Sequence, residues 1–350
     1  MNTINVAVVG VGSFTKALIE GVAFYTKNPD EERGLIHPQI GPYRVQDIRF
    51  VAAFDVDERK VGKKLHEAIS AGANVTKQIT EPLESSALVY RGPTLDGVIE
   101  EMRGTFVHES TAPSADIAYI LKETGAEVVL NLLPTGSTQA TFAYAEAALQ
   151  AGCSFVNCIP TPLATLPEWK KRFADAGLCL LGDDIKSQLG ATMLNRALLS
   201  LLKMRGITVT TSAQENRGGN ADHYNLLYRA QAKETSKREA LSQILGDDAV
   251  KPSVTFAYTG EPSGHKQVHL KLEGELFGRT PISIEAVIED EISINGAGVA
   301  VDAIRVAKLL VERNQPHKSD DVCAFLMKSP ARQMSDIESS ESFERVLVET

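Results

Sequence analysis

The stretch "INVAVVGVGSFTKALIEGV", residues 4–22, decides the fold. An apolar run ends in a Gly-x-Gly turn and passes directly into a segment with helical spacing of its apolar residues. Gly10 permits the tight turn, and Gly12 lets a pyrophosphate approach the backbone amides at the helix start. The third glycine of that fingerprint is missing, since Thr15, Lys16 and Ala17 stand in its region. Strand, glycine turn and helix in this order predict the first unit of a nucleotide-binding α/β sheet.

Outward from this unit, apolar runs recur at Ile48 to Phe54, Glu127 to Leu132, Ser154 to Cys158 and Leu178 to Leu181. Helical-period segments such as "STQATFAYAEAALQAG" (137–152) and "LPEWKKRFADAG" (166–177) lie between them. Continuous apolar strands alternating with helices imply a parallel sheet covered on both faces, a Rossmann-like doubly wound α/β domain. The second run ends in "VAAFDVD" (51–57), placing Asp55 where a carboxylate accepts ribose hydroxyls and repels the extra phosphate of NADP, so NAD is the expected cofactor. Asp55 lies further from Gly10 than the usual interval of about 20 residues. The segment "NPDEERGLIHPQIGPYRVQD" (28–47) is therefore read as an insertion after the first helix.

Beyond residue 190 the pattern changes. A helical stretch over Ala191 to Met204 precedes "QVHLKLEGELFG" (267–278) and "TPISIEAVIED" (280–290), which alternate apolar and polar residues. Period two predicts antiparallel strands with one wet or partner-covered face. The amphipathic "GVAVDAIRVAKLLVERN" (298–314) is expected to return to the first domain. The expected organisation is a nucleotide domain of residues 1–190 plus 296–350, with an inserted α+β domain at 191–295. The acidic end, "SDIESSESFERVLVET" (335–350), is expected to fray.

Bulk properties narrow the ligand. A formal charge of -9 and the absence of a basic run give no electrostatic footprint for nucleic acid or anionic membrane. A small anion held in a local basic pocket stays open. No apolar stretch approaches bilayer length, and the start lacks the basic region of a signal sequence. The four cysteines, Cys153, Cys158, Cys179 and Cys323, form no metal-ligand spacing and suit a reducing compartment, so a cytoplasmic protein without structural metal is expected.

Three lysines sit where lysines are awkward. In "LLGDDIKSQLGAT" (180–192), Lys186 follows the carboxyl end of a strand, where ligands lie in open α/β sheets. In "HKQVHLKLEG" (265–274), alternation puts Lys266 on the apolar face with Val268, Leu270 and Leu272. In "KETSKREAL" (233–241), Ser236 and Glu239 have capping-box spacing, which makes Lys237 the first helical residue, beside free amides that suit an anion. Each alone reads as a buried stem with a wet head; the three together point to a bound anion. The segment "NRGGNADHYNL" (216–226) reads on its own as a turn with an Asx cap, with polyhydroxyl binding as the alternative.

These residues resemble a known family. "GDDIKSQ" with "GAT", "GGN" followed by Asp222, "LPTGS", and "FDVD" followed by "KVG" are similar to myo-inositol-1-phosphate synthase of the bacterial and archaeal type, from Gly10 to "FLMKSP" near residue 330. The resemblance implies a Rossmann domain with a tetramerisation sheet, hence a homotetramer. It also implies a chemistry: NAD oxidises C5 of glucose 6-phosphate, the C6 enolate attacks the C1 aldehyde, and NADH reduces the product ketone. By the same resemblance Gly10, Gly12, Ser13, Phe14, Asp55, Pro134, Gly136, Ser137 and Asp183 hold the cofactor. Lys186, Lys237 and Lys266 surround phosphate and the C1 and C5 oxygens, Asp184 tunes the charge of Lys186, Asp183 helps to place it, and Asn220, Asp222, Ser187 and Gln188 bind substrate. The physical need is plain, because enolisation and aldol closure both build oxyanions.

The chain also departs from that family. Ser13 replaces the usual asparagine. In "ISINGAG" (292–298), Ile292 stands for an aspartate and Gly296 for the second serine of a "DSPNSAG" segment. An isoleucine ligates nothing, so no metal is expected. The same two positions open the alternative of fructose 6-phosphate or another ketose phosphate closing to a different ring. Alternatives of another class are a net NAD-dependent dehydrogenase and a non-catalytic NAD or sugar-phosphate sensor.

Overall fold

In the first strand, Ile4–Val9, the side chains of Ile4, Val6 and Val8 join one core and those of Ala7 and Val9 another. That alternation marks a strand covered on both faces. The structure, a computed structural model, describes residues 2–245 and 250–349. Six strands form the sheet in the order Val89–Arg91, Ile48–Asp55, Ile4–Val9, Val128–Asn131, Ser154–Asn157 and Leu180–Leu181. Every neighbouring pair is parallel. The five strands expected from the apolar runs are all present. The sixth, Val89–Arg91, is a three-residue edge too short to show a pattern.

Helices cover both faces. On one, Ala17 and Leu18 of Ser13–Lys27 pack with Ile304 and Leu310 of the long helix Ile292–Glu312 and with Phe343 of the C-terminal helix Asp336–Val348. On the other, Leu121, Tyr144 and Phe173 come from Ile117–Glu123, Thr138–Ala151 and Pro167–Asp175. Strand order reverses at Ile4–Val9, which places the glycine turn at the topological switch point. Among the described residues no helix is long and apolar enough to cross a membrane.

A second sheet holds Ser253–Tyr258, Thr208–Gly218, His265–Glu275 and Pro281–Glu291, in that order. The first pair is parallel and the other two antiparallel. Helices Ala191–Met204 and Gln231–Leu245 supply Leu199, Leu202 and Leu241 to its inner face, against Val254 and Leu272. The outer face carries exposed His269, Lys271 and Val287. The period-two segments thus form antiparallel strands as expected, whereas Thr208–Gly218 and Ser253–Tyr258 went unread.

Two local expectations are corrected. The acidic C-terminus does not fray: Ser335 and Glu338 form a capping box at the start of Asp336–Val348, and Phe343 and Val346, three residues apart, are buried. Lys237 is not the first residue of a helix but lies inside Gln231–Leu245, and the Ser236 hydroxyl donates to Asp184 instead of capping. Good helix formers upstream of Ser236 carry the helix past the cap signal.

The insertion is held by charge. His37 lies between Asp302 and Glu344, stacked on Phe343, while Arg305 pairs with Asp302 and donates to the carbonyl oxygens of His37 and Pro38. Burial pulls the His37 pKa down, but Asp302 and Glu344 together raise it above 6.5. A raised folded-state pKa stabilises the fold fully below the unfolded value and loses that contribution as pH climbs through the folded one. The melting temperature of the protein should therefore exceed that of His37→Gln most at acid pH, the gap narrowing above 6.5. A gap constant from about pH 5 to 9 would show that His37 does not titrate against these carboxylates.

Candidate active site: a lysine-lined cavity at the glycine turn

What a side chain would strike explains the glycine turn. Gly10 has φ +90°, and a Cβ there would lie 2.7 Å from the carbonyl oxygen of Leu132, so only glycine fits. At Gly12 a Cβ would meet nothing within 4 Å, and the helix beginning at Ser13 has no side-chain cap and no acidic residue in its first turn. Its unpaired amides face open space, and these residues fit a dinucleotide pyrophosphate. Asp55 reaches the same turn with its oxygens engaged, accepting from Val11 N–H at 2.7 Å and from Val56 and Asp57 N–H at 2.7 and 2.9 Å. Lys60 Nζ stands 3.5 Å from it. Oδ1 takes the Val56 and Asp57 amides, whereas Oδ2 takes the Val11 amide alone and keeps a lone pair that can accept a hydroxyl.

A cavity of about 310 Å³ runs from this turn to the second sheet, a size that suits a small ligand. Of the expected cofactor residues, Gly10, Gly12, Ser13, Phe14, Asp55 and Pro134 line it. Lys186, Lys237, Lys266 and Asp184 line it too, with Ser187, Asn220 and Asp222. Four expected residues are engaged elsewhere. Ser137 donates to the Pro134 carbonyl, and Gly136 packs against the Arg229 side chain. The adjoining helix start is filled by the Asp96 carboxylate, which accepts from the Gln139 and Ala140 amides. Gln188 donates to the Gly34 carbonyl at 2.6 Å. Asp183 accepts from Asn157 Nδ2 at 2.7 Å and from the Leu163 and Ala164 amides at 3.0 and 3.2 Å. Burial pushes its pKa up to about 6 against those donors, and the carboxylate anchors the loop before Pro167–Asp175.

The segment "GDDIKSQ" is zipped onto the far end of the chain. Asp183 and Lys186 N–H donate to Ser329 and Leu326 carbonyls, and Lys328 and Ser329 N–H donate back to Asp184 and Asp183. This pairing brings Lys328 Nζ to Asp184 Oδ1 at 2.9 Å. Asp184 therefore pairs with Lys328 and Ser236 rather than with Lys186. Lys186 donates to the Ala324 carbonyl at 2.7 Å and lies 3.9 Å from Asp336. Asp184 itself adopts a left-handed backbone, φ +62°, a strain kept only where surrounding contacts enforce it.

Two lysines that sequence reading passed over complete the group. Lys233 is paired with Asp222 at 2.6 Å and stands one helical turn before Lys237, a spacing that could have revealed it. Lys328 stood within the quoted "FLMKSP". Burial lowers the Lys186 and Lys266 pKa values to about 8. Lys237, fully enclosed, is pushed well below its usual range by burial and then by Lys266, Lys328 and Lys233. It donates to Asn216 Oδ1 at 2.7 Å, with its ammonium 5.0 Å from the Phe256 ring centre. At Lys233 the nearby Asp222 outweighs burial and raises the value. Asn220 caps helix Ala221–Arg229 through His223 N–H, as the Asx reading expects. Asn225 donates to the Thr135 carbonyl, tying "LPTGS" to the second region.

Near the glycine turn the wall is apolar. A Cβ on Gly296 would lie 2.5 Å from Phe14 Cε2, so the glycine makes room for the ring, and Ile292 lines the same wall. Gly296→Ser should push Phe14 into the cavity, costing about 1–3 kcal/mol of stability and weakening dinucleotide binding roughly tenfold. Phe14→Ala in that background should restore most of both. Thermal melts and calorimetry across the double-mutant cycle check this; purely additive effects would mean that the two positions are independent.

Fold and cavity together define a Rossmann-like α/β protein with a lysine-lined cavity at its glycine turn. A profile of the family described as myo-inositol-1-phosphate synthase matches residues 190–291. The inositol-3-phosphate synthase of Corynebacterium glutamicum is 40% identical over 361 residues, covering 99% of each chain. The chain belongs to the inositol-3-phosphate synthase family. That of Mycolicibacterium smegmatis is 41% identical, with 95% of this chain and 94% of its own covered. Among solved structures, the crystal structure of Ari2 is 32% identical with a TM-score of 0.82, covering 99% of this chain and 98% of its own. The inositol-3-phosphate synthase of Caenorhabditis elegans shares the fold, with a TM-score of 0.78 at 15% identity and coverage of 99% and 85%.

Proposed function

We propose that the protein cyclises a hexose 6-phosphate, with glucose 6-phosphate as the first substrate and 1D-myo-inositol 3-phosphate as product, using NAD without net consumption. The observation that carries this reading is the convergence of Lys186, Lys233, Lys237, Lys266 and Lys328 on one cavity with the glycine turn. NAD, bound at Gly10, Gly12 and Asp55, supplies a reversible hydride acceptor. The chain's own residues do the rest. Cations hold the phosphate and stabilise the oxyanions that form at the C5 oxygen on enolisation and at the C1 oxygen on aldol closure. Lys186 and Lys266, with pKa values near 8, can both lose and regain a proton close to neutral pH. Lys328 is fixed by Asp184, and Lys233 by Asp222, so these two are held in place to position the phosphate.

A second reading, closure of a ketose phosphate such as fructose 6-phosphate to a different ring, is favoured by the apolar wall of Ile292, Gly296 and Phe14. The cytoplasm and a homotetramer belong to the same proposal, the latter joined through the polar outer face of the second sheet. Incubation with glucose 6-phosphate or fructose 6-phosphate and NAD, followed by product NMR, separates the ring types. No cyclitol phosphate from either would sink the proposal. Steady accumulation of free NADH would point to a net dehydrogenase, and ligand binding without turnover to a sensor.

A further inference from the structure

Hydroxyl groups of a sugar need acceptors, and this cavity is rich in donors. Lysine ammonium groups serve phosphate and carbonyl oxygens but cannot receive a hydroxyl proton. The nearby carboxylates already have charged partners, Asp222 in Lys233 and Asp184 in Lys328, and Asp184 also takes the Ser236 hydroxyl. Against that background one buried side chain stands out. His223 lines the cavity, is 2% exposed, and its Nε2 has no hydrogen-bond partner among the described residues.

The tautomer follows from the neighbours. Asn220 Oδ1 accepts from the His223 backbone N–H at 2.9 Å and lies 2.9 Å from the ring Nδ1. Because that oxygen only accepts, Nδ1 carries the proton and Nε2 presents a lone pair. Gly218 makes room for the ring, since a Cβ there would lie 2.5 Å from His223 Nδ1 and Cε1. An unpaired buried acceptor is costly in the free protein and is satisfied by a ligand that brings a donor.

We propose that His223 is a specificity-determining residue whose Nε2 accepts a hydrogen bond from a hydroxyl of the bound sugar phosphate. This rests on the reading of the cavity as a hexose phosphate site. Burial is the main reason the imidazole stays neutral; it lowers the pKa to about 3, with Asp222 opposing and Lys233, Lys266 and Lys237 assisting. So weak a base holds the hydroxyl without taking its proton. The lysines remain the proton carriers, and His223 selects which hydroxyl pattern is seated.

Calorimetric Kd values for glucose 6-phosphate and fructose 6-phosphate, measured with NAD present, test the assignment in the wild type, His223→Phe and His223→Gln. Phe keeps a ring and loses the acceptor, whereas the Gln side-chain oxygen reaches the Nε2 position. The expected result is a Kd for the preferred sugar raised roughly tenfold to a hundredfold in the Phe variant and largely recovered in the Gln variant, with NAD affinity unchanged in both. Equal Kd in wild type and Phe, or equal losses in Phe and Gln, would overturn the role of His223 while leaving the cyclase reading intact. If the wild type binds neither sugar phosphate, both readings fall. If it binds without turnover, the cyclase reading falls and the Kd comparison still decides on His223.

Discussion

Lys237→Ala lowers kcat/KM for the hexose 6-phosphate by about 10²–10³-fold and at the same time raises the melting temperature of the unliganded protein. The first effect follows from geometry: the ammonium is enclosed, held by Asn216, and faces the cavity with Lys266, Lys328 and Lys233 nearby. A donor placed where an oxyanion develops acts at full strength in a dry site. The second effect follows from the same neighbours. Until an anion arrives, enclosing this amine beside Lys266, Lys328 and Lys233 is unfavourable whether it keeps or sheds its proton, so removing it relieves the fold. Activity assays and thermal melts of one variant read both. A fall in activity accompanied by a fall in stability would mean that Lys237 is a packing residue, and unchanged turnover would remove it from the chemistry.

Arg305→Met should give the largest loss of stability, about 3–5 kcal/mol, seen as a drop in melting temperature of roughly 10 °C. Arg305 is fully buried and pairs with Asp302 while donating to the Val301, His37 and Pro38 carbonyls. Without it Asp302 is left with His37 alone, and the carbonyls of the insertion lose their donor. Removing both charges with Arg305→Met and Asp302→Leu should cost less than Arg305→Met by itself, because no uncompensated charge remains. A double variant as unstable as the sum of the singles would place the effect in packing.

How much of this could be read from residues alone depended on what each segment had to face. Ile4–Val9 and its glycine turn were legible because an apolar strand buried on both sides shows as a run. Strand Thr208–Gly218 was not. Its inward positions are Ser212, Gln214 and Asn216, all buried, and such polar residues erase the hydrophobic alternation. Asn216 is polar because it holds Lys237; the pattern fails where the sheet builds the site. Lys266 was legible because its neighbours Val268, Leu270 and Leu272 kept the alternation around it. Lys328 could not be placed, because its partner Asp184 is 144 residues away and nothing local records the pairing. Nothing local records either that Asp96, more than 40 residues earlier, accepts from the Gln139 and Ala140 amides at the helix start beside Gly136 and Ser137.

The zip between residues 183–186 and 326–329 has a consequence for biosynthesis. During translation the nucleotide-binding strands emerge early, yet Lys328 joins Asp184 only when the chain is nearly finished and has left the exit tunnel. The strand that carries the glycine turn thus leaves the ribosome well before the strand-end pairing that completes this wall of the cavity. A chain that stops before residue 326 lacks every partner of this pairing, so Asp184 is left without Lys328 and the segment 183–186 without its second strand.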